Sequence, residues 1–132
     1  MVISPLVVVW VALGSALGGV LRYLGTELSL RLLSSTFPWG TVAINIVGSF
    51  VIGFFIVVSG PDGRWSAGPE MRHFVATGIL GGFTTFSAFS LQTVALAQEG
   101  AWAFAAANIV GSVVLCVTGA WLGHVLGVAV SR

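Results

Sequence analysis

The sequence predicts an all-α membrane protein with four spanning helices, the third of them broken, and three observations carry that prediction. First, 57% of the 132 residues are hydrophobic and only 7% are charged, with a mean hydropathy of +1.06, whereas soluble domains carry roughly 25% charged residues. Second, charged and turn-forming residues cut the chain into four apolar stretches, each long enough for the ~20 residues that a spanning helix needs. Third, one of these stretches contains GGFTTFSAFS at 81–90. Paired glycines followed by hydroxyls make a poor unbroken helix, and lipid tolerates freed backbone groups only where protein or a wet cavity surrounds them. The whole chain, 1–132, reads as a single transmembrane domain.

The first span is expected near 5–33. It begins in an apolar run without a basic leader and continues through Arg22, so it is read as a retained helix and not as a cleaved signal. The connection SSTFPWG at 34–40 is short, and Pro38 stops one helix and starts the next, making spans 1 and 2 antiparallel neighbours. Span 2 is expected near 39–59. SGPDGRWSAGPE at 59–70 is the only long polar loop, rich in the residues that mark turns. Spans 3 and 4 follow near 70–98 and 101–128, joined by little more than Gln98, Glu99 and Gly100.

Four spans place both termini and the 59–70 loop on one side, with Arg64, Arg72 and Arg132, while Arg31 lies on the other and Arg22 at interfacial depth. That bias toward a cytoplasmic N-terminus is weak, so insertion in both orientations is expected. Glycines recur at four-residue spacing, at Gly14 and Gly18, at Gly78 and Gly82, and at Gly119, Gly123 and Gly127. Such stripes let helix backbones approach closely, and they also suggest an oligomer. NIVGS at 45–49 and 108–112, LGG at 17–19 and 80–82, and Trp39 and Trp102 repeat with one offset of 63 residues. The pattern suggests duplication of a two-helix unit.

Composition excludes several classes of function. A net charge of +1 gives no footprint for nucleic acid. Neither His73 nor His124 has a Cys, Asp or Glu at ligand spacing, and no nucleophile stands with a base, so neither metal chemistry nor an enzyme is expected. Cys116 lies in an apolar run and reads as a small hydrophobe. The four acids, Glu27, Asp62, Glu70 and Glu99, all fall at span ends or in loops. A small multidrug exporter of similar size would need a carboxylate in mid-membrane. A non-transporting membrane subunit is the other alternative, with polar residues serving as interhelical glue.

What lies within the spans is polar but neutral: Asn45, Thr84, Thr85, Ser87, Ser90, Gln92, Asn108 and Ser112 among others. Amide N–H and hydroxyl O–H groups can stand in for the hydration of an anion. Phe86 and Phe89 share one helix face, as do Ser87 and Ser90, and aromatic ring edges carry partial positive charge. A helix broken at 81–84 would release carbonyls able to hold a cation such as Na⁺, with a second copy supplying more oxygens.

At these residues the chain resembles the small bacterial fluoride channels (Fluc, also called CrcB proteins). The family's most specific signature, GGxTTFSxFS, stands here as GGFTTFSAFS. The likeness continues through GGVLRY at 18–23, WGTVAINIVGSFVIG at 39–53 and Gly111-Ser112, covering essentially the whole chain. The resemblance implies an antiparallel, dual-topology homodimer in the bacterial inner membrane, with two fluoride pathways and a structural Na⁺ at the dimer centre. It implies Na⁺ contacts from the carbonyls of Gly81 and Thr84, fluoride contacts from the Phe86 and Phe89 ring edges, Asn45, Ser90 and the Ser112 hydroxyl, and a vestibule arginine at Arg22. It also implies passive, selective export of fluoride that entered the cell as the neutral acid. Three positions depart from the family pattern: Ala88 replaces a threonine, Gln92 a glutamate, and Asn108 an aromatic residue or histidine. They bear on conductance and vestibule detail, and replacing Glu by Gln removes a repulsive charge.

Overall fold

A computed structural model describes residues 4–132. Four helical stretches, Pro5–Leu32, Trp39–Val58, Pro69–Gln98 and Trp102–Ser131, are long and apolar enough to cross a membrane, and no strand occurs among the described residues. The first two are the continuous helices α1 (Pro5–Leu32) and α2 (Trp39–Val58). The third is composite: α3 (Pro69–Arg72), a π-helical segment (His73–Leu80), α4 (Gly81–Phe83) and, after a break, α5 (Phe86–Gln98). The last is α6 (Trp102–Ser131).

Local chemistry sets the ends. Proline stands in the first turn of α1 and of α3, where its missing N–H has no helical partner to lose. Pro38 is the residue before α2. α5 ends in a Schellman turn, with Ala101 N–H donating to the Leu96 carbonyl at 2.9 Å and Gly100 N–H to Ala97 at 3.0 Å. Gly100 has φ +77°, a backbone conformation that favours glycine at this position. The 59–70 loop folds back on itself, Ala67 N–H donating to the Ser59 carbonyl at 3.1 Å, and Arg64 reaches the Val130 carbonyl at the end of α6.

Spans 1 and 2 touch, but each makes its main contact elsewhere: α1 on the π segment and α4, and α2 on α6. The glycine stripes explain both seams. A Cβ on Gly14 or Gly78 would come within 2.9 Å of the other's Cα, and one on Gly82 would meet the Ser15 carbonyl oxygen at 2.6 Å. Across the second seam, a Cβ on Gly123 would meet the Phe50 carbonyl oxygen at 2.0 Å and one on Gly53 that of Ala120 at 2.1 Å. These stripes therefore serve packing within one subunit and carry no argument for an oligomer. Gly123→Ala and Gly53→Ala are each expected to cost about 1–3 kcal/mol from overpacking against backbone that cannot move aside, read as a lower thermal midpoint in detergent.

The break does not fall where the glycines are. Gly81 and Gly82 remain helical in α4, and the chain leaves the helix at Thr84 (ψ 157°) and Thr85 (φ −152°, ψ 113°). Thr85 then caps α5, its Oγ1 accepting from Ala88 N–H at 3.2 Å, as N-cap threonines do. Gly82 serves close approach to α1, and the threonines make the break. The π segment just before it was not legible in the sequence, and such segments recur at functional sites in helices. The counterparts suggested by the 63-residue offset differ locally, since α1 is continuous where the third span is broken.

Candidate functional site

Thr85 is held from α2. Asn45 Oδ1 accepts from Thr85 N–H at 2.8 Å and Asn45 Nδ2 donates to the Thr85 carbonyl at 3.0 Å. One side chain thus gives the Thr85 N–H, which the break deprives of a helical acceptor, a partner in an apolar environment, and adds a second donor to a carbonyl that already starts α5. In a continuing helix Thr85 N–H would go to the Gly81 carbonyl. Its diversion to Asn45 releases that carbonyl from this donor.

On one side of the break lies a cleft of about 370 Å³, whose lining includes Asn45, Gly81, Thr84, Phe86, Phe89 and Ser112. Six of the eight site residues expected from the sequence therefore meet in one place. The Phe86 and Phe89 rings lie 5.1 Å apart, tilted by 48°. They differ in setting: Phe89 is 8% exposed, while Phe86 is 76% exposed on the open side of the subunit. Asn45 Nδ2 carries two N–H groups, of which the Thr85 carbonyl needs one.

The other two expected residues lie elsewhere. Ser90 does not line the cleft, and its hydroxyl donates to the Phe86 carbonyl one turn back at 2.9 Å. Arg22 lines a second cleft, of about 500 Å³, with Thr26, Thr41, Thr85, Ser87 and Gln92. It stands ten residues before the end of α1, about 15 Å along the axis at 1.5 Å per residue. Its Nη1 donates to the Thr84 carbonyl at 3.5 Å, the outer limit of a hydrogen bond. Thr85 lines both clefts, so the break is the wall between them. Neither lining contains an Asp or Glu, and the described residues hold no group of three or more His, Cys, Asp or Glu able to hold a metal ion.

Two polar features escaped sequence reasoning. Gln92 Oε1 is buried without a hydrogen-bond partner beside the Arg22 cleft. Asn108, 1% exposed, joins α6 to α5 by donating from Nδ2 to Thr93 Oγ1 at 2.8 Å. Its i, i+4 spacing to Ser112 was visible in the sequence. The partner across the helices was not.

The family model described as CrcB-like protein, Camphor Resistance (CrcB), matches residues 9–124. Similar proteins include three named fluoride-specific ion channel FluC. That of Opitutus terrae is 52% identical over 122 residues, covering 92% of each chain. That of Paramagnetospirillum magneticum is 52% identical, covering 92% of this chain and 95% of the relative. That of Rhodospirillum rubrum is 52% identical, covering 93% and 95%.

Proposed function

The chain belongs to the CrcB-like family, and from that premise we propose that it is a multi-pass channel of the bacterial cell membrane that conducts fluoride selectively and passively. The observation that carries the proposal is the cleft beside the break, where Asn45, the Phe86–Phe89 pair and Ser112 converge. A small anion gives up its water reluctantly, so a path must offer substitute donors without becoming a trap. Neutral donors and ring edges meet both demands. Arg22, on the far side of the Thr85 wall, supplies positive charge that concentrates anions at the approach. The absence of a carboxylate from either lining supports a channel over proton-coupled antiport.

The finer reading is an antiparallel homodimer with two pathways. Phe86 is exposed beside an apolar cleft that is open to one side of the subunit, an arrangement that a second copy would close. The weak bias of the arginines, three on one side against one or two on the other, is compatible with opposite insertion of the two copies. A central Na⁺ fits the donors present: the Gly81 carbonyl is released from Thr85 N–H, and the Thr84 carbonyl accepts only a long bond from Arg22. Two carbonyls per subunit supply hard oxygen ligands, as Na⁺ prefers, and a second copy would double them. Replacing Na⁺ by a large organic cation at equal ionic strength is expected to lower the thermal midpoint of the purified protein, because a ligand bound only by the folded state stabilises it. An unchanged midpoint would remove the cation from this account.

Expression in a bacterium without its own fluoride export tests the function in cells. Restored growth on fluoride medium is expected, and no restoration by protein shown to be in the membrane would contradict the proposal.

A further inference from the structure

Ser112 lines the cleft beside Phe89, yet its single proton points elsewhere. The hydroxyl donates to Asn108 Oδ1 at 3.3 Å, Asn108 Nδ2 donates to Thr93 Oγ1 at 2.8 Å, and Thr93 donates to the Phe89 carbonyl at 2.8 Å. The direction of this relay is fixed from its far end. Thr93 has one proton, which Phe89 takes, so Thr93 Oγ1 can only accept from Asn108. Asn108 must therefore turn its amide N–H₂ to Thr93 and its Oδ1 to Ser112, and Ser112 must donate. Asn108 is 1% exposed, which leaves water little access to its amide. Ser112 accordingly shows the cleft its lone pairs.

We propose that Asn108 is a positioning residue that sets the proton of Ser112, holding this hydroxyl as an acceptor until an anion in the cleft competes for the proton. The inference rests on the fluoride reading of that cleft. Rotating the Ser112 O–H toward an anion leaves Asn108 Oδ1 buried and unpaired, which costs more than an ordinary hydrogen bond contributes. The donor is thus available but weakened. This is the compromise that conduction requires, and Asn108 tunes where it lies.

A double-mutant cycle tests this. Asn108→Leu keeps a similar volume, removes the acceptor and frees the Ser112 proton for the anion. In the reconstituted protein it is expected to lower the fluoride concentration giving half-maximal flux by about three- to tenfold, and to lower the maximal flux because the anion leaves more slowly. Ser112→Ala is expected to shift half-saturation at least threefold more in the Asn108→Leu background than in the native one. Equal shifts in both backgrounds would overturn the proposal, because a merely structural Asn108 would leave the effects additive. Should Asn108→Leu fail to fold, Thr93→Val removes the group that fixes the amide's direction, and half-saturation should fall in the same sense by a smaller factor; no change would overturn the relay. Native protein that carries no fluoride would remove the channel reading and this proposal together, whereas native flux with additive effects would remove this proposal alone.

Discussion

Replacing Asn45 with aspartate is expected to abolish fluoride efflux. The aspartate keeps an oxygen to accept from Thr85 N–H, but it puts a second oxygen against the Thr85 carbonyl, where Asn45 Nδ2 now donates at 3.0 Å. Two acceptors then face each other, and the second N–H that the cleft could use is gone. A carboxylate also brings negative charge beside the Phe pair. Two like charges about 4 Å apart repel by about 4 kcal/mol at an effective dielectric of ~20, or roughly a thousandfold in rate. Efflux from liposomes, set beside the elution profile and helix content of the variant, reads the loss. Normal efflux from Asn45→Asp would contradict the site.

Phe86→Ile is the second large effect, and its value lies in where Phe86 sits. The ring is 76% exposed in the subunit, against 8% for Phe89, so its replacement by another apolar side chain removes little intrachain packing. Isoleucine has no positive ring edge to offer. Efflux is expected to fall at least a hundredfold, equivalent to about 2.7 kcal/mol, with the subunit still folded. The same change at Phe89 would lose transport and packing together. Unchanged efflux in Phe86→Ile would remove the ring pair from the pathway.

Four spans were legible because charges and turn residues fall almost wholly at their ends. Pro38 and Gly100 mark two connections through backbone constraints that act locally, and local constraints can be read from sequence. The break was legible only in kind. GGFTTFSAFS announces an interruption, but both glycines stay helical, Gly82 packing against α1, and the chain leaves the helix at Thr84 and Thr85. What places it there is Asn45, forty residues earlier, and such a partner cannot be read from the motif itself. The π segment at His73–Leu80 leaves no distinct periodicity in so short and apolar a run.

Much of the site was legible as a set of residues and less so as geometry. Asn45, Gly81, Thr84, Phe86, Phe89 and Ser112 meet in one cleft. Ser90 fails to join them because a helical serine can donate to its own chain one turn back. Arg22 was legible as a charge within the first span, but its place beside the break depends on the Thr84 carbonyl, 62 residues away in sequence. Asn108 matters through Thr93, fifteen residues away in sequence, and helical spacing alone could not pair them.

Fluoride efflux from liposomes that contain only this protein, followed with a fluoride electrode and compared with chloride, tests the central claim most directly. Rapid efflux of fluoride with chloride retained is the predicted result. No efflux from demonstrably folded protein, or equal efflux of both anions, would contradict it.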